Sequence, residues 1–83
     1  MKLPKTYVTT YDTNEDGTRV DVIAYYHYFE PDEEGDYGTY KIIMIERDGK
    51  RYLEADFETL KQETDLLYRE IETLIEEQEG IIS

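Results

Sequence analysis

Asp12, Asn14 and Asp16 stand at alternate positions in the run Asp12-Thr13-Asn14-Glu15-Asp16-Gly17, and this spacing can wrap a hard cation. Oxygen ligands at every second residue and a glycine at the sixth match the opening of an EF-hand-type calcium loop. The closing half departs from that pattern. Ile23 stands at the twelfth position, where a bidentate Glu is needed, and Val20 stands at the ninth. A tight turn rich in Asp, Asn and Gly explains the same letters, so the expectation is no metal, with Asp12, Asn14 and Asp16 as the candidate ligands if one binds.

Other chemistry is poorly supplied. The only histidine is His27, the only serine is Ser83, the only asparagine is Asn14, and there is no cysteine. No Ser-His-Asp or Cys-His set can be assembled, and disulfides and thiolate metal sites are excluded. Carboxylate pairs could serve as acid and base, but among 21 Asp and Glu in 83 residues proximity is expected by chance. The chain is therefore expected to be non-enzymatic, with no cofactor.

The acids themselves are the dominant signal. Against nine Lys and Arg they give a formal net charge of −12, which repels nucleic acid and anionic membrane and attracts basic protein surfaces. They fall in two blocks. Residues 30–36 hold Glu30, Asp32, Glu33, Glu34 and Asp36, followed by Tyr37. From residue 56 to 79 come nine more, against only Lys61 and Arg69. Glu58, Asp65, Glu72 and Glu79 share one heptad position and Asp56, Glu63, Glu70 and Glu77 another, with Glu76 outside both rows. On a helix these rows flank the apolar stripe, roughly 10 Å apart, each advancing about 10 Å per seven residues. The phosphates of one DNA strand are spaced at a comparable interval, about 7 Å. The alternative is a solvated helix face whose acid gives solubility alone.

These acids are placed by one small domain, residues 1–83, of α+β class: a four-stranded antiparallel meander with one long C-terminal helix packed on one face. Tyr, Val and Thr in 6–11 make the first strand, and the Asp12–Gly17 run turns it. Residues 18–29 make a long second strand, apolar on both faces. Pro31 and Gly35 interrupt the chain before a third strand over 39–47. Asp48-Gly49 reads as a two-residue type I′ turn into a fourth strand over 50–55. That turn predicts the pairs Arg47 with Lys50, Glu46 with Arg51, Ile45 with Tyr52, Met44 with Leu53, Ile43 with Glu54 and Ile42 with Ala55. The helix spans 56–79, with Asp56 as N-cap and Gly80 as stop. Phe57, Leu60, Thr64, Leu67, Ile71 and Leu74, widened by Tyr68 and Ile75, form its apolar stripe. This stripe is expected on the side of Ile42, Met44, Leu53 and Ala55. Ile43, Ile45 and Tyr52 are then left uncovered and available for a homodimer.

Nine tyrosines suit an interface as well as a sheet. In size, acidity and lack of catalytic groups the whole chain is similar to small phage-encoded inhibitors that imitate nucleic acid: anti-restriction and anti-CRISPR proteins and inhibitors of uracil-DNA glycosylase. No motif is shared, so no functional residue carries over. The resemblance implies a partner that is a basic nucleic-acid-binding protein, such as a Cas effector or a restriction enzyme, with no direct binding to nucleic acid. The expected partner-binding residues are Glu30, Asp32, Glu33, Glu34, Asp36, Tyr37, Glu58, Asp65, Glu72 and Glu76. No apolar run approaches the roughly 20 residues of a membrane span, and Met1-Lys2-Leu3-Pro4-Lys5 lacks the core of a signal peptide. The expected compartment is the cytoplasm, that of the host cell if the chain is phage-encoded. The alternative function is a homo-oligomeric assembly module.

Overall fold

The computed structural model describes residues 3–31 and 38–81. Strands β1 (Tyr7–Thr13), β2 (Arg19–Phe29), β3 (Thr39–Arg47) and β4 (Lys50–Leu53) form one antiparallel sheet in sequential order. A 3₁₀ turn, Glu54–Asp56, leads into helices α1 (Phe57–Glu63) and α2 (Asp65–Glu79). The fold is α+β, as expected from the order of strand and helix signals.

Local chemistry explains the joints. Asp48 (φ 53°) and Gly49 (φ 81°) both take positive φ, as a type I′ turn requires. The four pairs nearest that turn are the predicted ones, from Arg47 with Lys50 to Met44 with Leu53. The two further pairs do not form, because the chain leaves the sheet after Leu53 and coils at Glu54. Asp56 precedes α1, but its carboxylate turns back to accept the Leu53 N–H at 3.2 Å. Gly80 stops α2 in the left-handed conformation (φ 72°), and the Ile81 N–H bonds to the Glu76 carbonyl at 2.8 Å.

The single long helix is interrupted. Thr64 adopts φ −144°, ψ 67°, ending α1 and starting α2. The Thr64 N–H still reaches the Leu60 carbonyl (2.8 Å) and its own carbonyl accepts from Tyr68 (3.2 Å), so the break is one residue wide. Its hydroxyl is buried without a hydrogen-bond partner among the described residues. Around this break, Phe57 and Leu60 of α1 and Leu67, Tyr68, Ile71 and Ile75 of α2 all reach the core.

The helices cover the other face from the one predicted. Ile45 and Tyr52, expected to be bare, are buried with Val8, Val22, Ala24 and Tyr26 beneath the helical layer. The cause is a β-bulge. Tyr25 pairs with Met44 and Tyr26 with Ile42, leaving Ile43 unopposed. The extra residue brings Ile42 onto the side of Ile45 and Tyr52, where it meets the all-apolar row Val20, Val22, Ala24 and Tyr26. Met44 and Leu53 fall on the opposite side of the sheet, where Leu53 is exposed but Met44 is itself buried, and Ile43 is half-buried at the bulge.

Candidate functional surface

The helical layer positions its acids by two kinds of contact. On one flank of α2, Glu70 accepts a hydrogen bond from the Thr10 hydroxyl of β1 (3.2 Å). On the other flank, Glu72 accepts from the Tyr40 hydroxyl of β3 (3.4 Å). β1 and β3 lie two strands apart, about 10 Å, so Glu70 and Glu72 stand on opposite flanks of the apolar stripe. The break at Thr64 interrupts both rows between α1 and α2.

The end of α2 is fastened at Tyr26. Its hydroxyl donates to Glu79 Oε1 (2.8 Å) and accepts from Gln78 Nε2 (2.6 Å), while Gln78 also donates to the Tyr7 carbonyl (3.2 Å). Burial pushes the Tyr26 hydroxyl up to about 12, and the Glu79 carboxylate adds to the shift. Burial also raises Tyr40, helped by Glu72 and Glu76, and Tyr68, helped by Glu72, Glu54 and Glu58. A raised acid is stabilising while protonated, so this contribution is complete below pH 10 and lost as pH rises through 12. The urea midpoint should therefore fall steeply between pH 10 and 12, and Tyr26→Phe should flatten that fall. An unaltered slope would remove Tyr26 from the account.

The remaining acids face outward. Glu58, Glu63 and Glu77 are exposed, Asp65 pairs with Arg69 on the next turn (2.9 Å), and Glu76 is half-buried. Residues 54–79 hold ten acids against Lys61 and Arg69. Among these acids sits Leu66, 82% exposed. It was not among the expected site residues, although its lone apolar character off the stripe marks it.

Of the expected partner-binding residues, Glu58 and Asp65 are exposed on α1 and α2, while Glu72 and Glu76 flank Tyr40. Glu30 is exposed at the end of β2. Asp32, Glu33, Glu34, Asp36 and Tyr37 lie outside the described residues. Ile45 and Tyr52 are removed from the candidate interface by their burial.

No protein-family model, curated protein or solved structure matches the chain. The functional reading therefore rests on the surface itself.

The Asp12–Gly17 turn has its own cation. Arg47 of β3 donates from Nε to Asp12 Oδ2 (2.8 Å) and from Nη2 to Asn14 Oδ1 (2.8 Å). Asp16 Oδ1 accepts the Thr18 N–H (2.9 Å), and hydrogen bonds from the Thr18 hydroxyl and N–H hold its carboxyl below the usual range. A guanidinium thus takes up two of the three candidate ligands, and the described residues hold no cluster of three or more metal-ligating side chains. Arg47→Leu leaves Asp12 and Asn14 half-buried without their donor, and should cost about 1–3 kcal/mol in urea unfolding. Millimolar calcium should leave the wild-type melting temperature where magnesium leaves it.

Proposed function

We propose that the chain is a non-enzymatic acidic inhibitor that occupies the basic nucleic-acid-binding surface of a target protein by imitating nucleic acid. The observation that carries this reading is the sign imbalance of the helical layer, ten acids against two bases from residue 54 to 79. A surface made only for solubility mixes both signs. Carboxylates spaced along two helices held on a sheet can instead meet the Lys and Arg that otherwise hold phosphates. Glu58, Glu63, Glu76 and Glu77 are the contact acids, with Leu66 as an apolar anchor. The acidic block 30–36 joins them by its sequence. A phage anti-defence role, of anti-CRISPR or anti-restriction type, is the preferred subtype, because such effectors expose several basic surfaces for duplex and heteroduplex. No helix among the described residues is long and apolar enough to cross a membrane.

The test is capture on the immobilised chain from nuclease-treated bacterial lysate carrying a CRISPR effector, read by mass spectrometry with and without excess duplex DNA or guide RNA. Capture of a nucleic-acid-binding protein that the DNA or RNA displaces supports the proposal. Capture that nucleic acid leaves untouched, or none, rejects it.

A further inference from the structure

The face of the sheet opposite the helices carries a different chemistry from the rest of the molecule. The strand register places Tyr7, Thr9 and Tyr11 of β1, Asp21, Ile23, Tyr25, His27 and Phe29 of β2, Met44 and Glu46 of β3, and Arg51 and Leu53 of β4 on that side. Among the described residues, four of the five exposed large hydrophobic side chains lie here: Tyr7 (52%), Tyr11 (51%), Phe29 (52%) and Leu53 (40%). The rings are already ordered. Tyr7 and Tyr25 stand 5.9 Å apart, His27 and Phe29 stand 6.5 Å apart, and the Arg19 guanidinium lies 3.8 Å over the Tyr11 ring. Such side chains lose little freedom when a partner arrives.

Charge narrows the choice of partner. On this face and its rim Arg19, Lys41 and Arg51 meet Asp21, Glu46, Asp48 and Glu54, with Lys41 beside Glu54 (3.5 Å) and Arg51 beside Glu46 (3.8 Å), so it is close to neutral although the whole chain carries −12. Both signs on one patch allow the patch to complement itself across a twofold axis. We infer that the open sheet face is an interface between two copies of this chain. Packing face to face puts the two acidic helical layers outermost, about 30 Å apart if each layer adds ~10 Å. That is more than three Debye lengths of ~8 Å at physiological salt, so their repulsion is largely screened. Association through the helices would instead bring those acids within ~10 Å of their equivalents. The area suffices. Strands of this length at ~3.4 Å per residue and ~4.8 Å spacing give a face of roughly 26 by 19 Å. Two such faces remove on the order of 1,000–1,300 Å² from water, at the lower end of specific interfaces. The interface does not depend on the proposed target, since a dimer still presents both helical layers.

Sedimentation equilibrium on the full chain tests this. The wild type should approach twice its 9.9 kDa with a dissociation constant of order 1–100 μM, weak for an interface of this size. Tyr7→Lys with Leu53→Lys should weaken dimerisation at least 100-fold. Both substitutions lower the net negative charge, so the loss could not be ascribed to greater repulsion between whole chains. Leu66→Glu, on the helical layer, should leave the mass unchanged. If the double variant fails to fold by circular dichroism, amide shifts of the wild type on dilution decide: changes centred on Thr9, Ile23, Tyr25 and Met44 support the interface, and changes centred on α2 overturn it. A 9.9 kDa mass maintained to ~1 mM, well above that range, also overturns it. So does a monomer whose sheet face binds a single-stranded oligonucleotide.

Discussion

Ile45→Asp is expected to leave the chain unfolded in buffer at 25 °C, while Leu66→Asp shifts its stability by less than about 0.5 kcal/mol. Ile45 is fully buried at the centre of the core, paired to Ala24 on one side and Tyr52 on the other. The substitution removes an apolar side chain and places a carboxylate where the surrounding side chains of Val22, Ala24 and Ile71 offer no donor. The combined cost is about 5 kcal/mol or more. A domain of this length has only about 4–12 kcal/mol to lose. Far-UV circular dichroism and amide dispersion in a proton–nitrogen spectrum would show the collapse. A folded Ile45→Asp protein would mean that the helices do not cover this face.

The second large effect concerns binding. Glu58→Lys, Glu63→Lys and Glu77→Lys together should weaken target binding by roughly 100- to 1,000-fold at low salt, about 1 kcal/mol or slightly more per site. None of the three has a hydrogen bond or ion pair to another side chain among the described residues, so the fold should survive. Each reversal adds two charges, taking the chain from −12 to −6. Calorimetric titration against the captured target at 50 mM and 500 mM NaCl measures both the loss and its source. Reversal should matter far less at the higher salt, where exposed charges are screened. Equal affinity of triple variant and wild type at low salt would refute imitation of nucleic acid by the helical layer.

The contrast between Ile43 and Ile45 shows what the sequence could reveal. A two-residue Asp48-Gly49 turn has a narrow geometry, so the neighbouring pairs of β3 and β4 were legible from letters alone. The bulge was not. Nothing in Ile42-Ile43-Met44-Ile45 says which residue lacks an opposite number, because that is decided by how β2 and β3 fit under the helices. One extra residue reverses the inside and outside of everything beyond it. The helix break leaves no mark in the sequence for a related reason. Thr64 keeps the heptad spacing, and a threonine is tolerated in a helix interior at small cost, so only docking on a twisted sheet exposes the interruption. The acidic rows were legible because heptad spacing is written in the letters, whereas the break that interrupts them at Thr64 is not. Their partners Tyr40 and Thr10 come from strands more than 30 residues away in the chain.

Each strand pairs only with its neighbours in the chain, so the sheet can assemble from local contacts alone. The hairpins can close before residues 57–79 have docked. Until then Val22, Ala24, Tyr26 and Ile45 form a bare apolar wall, the kind of surface that draws nascent chains together. Docking of α2 supplies Leu67, Ile71 and Ile75 to close that wall. A chain cut near Thr64 therefore keeps the wall bare, and the α2 helix is what makes the domain safe to accumulate.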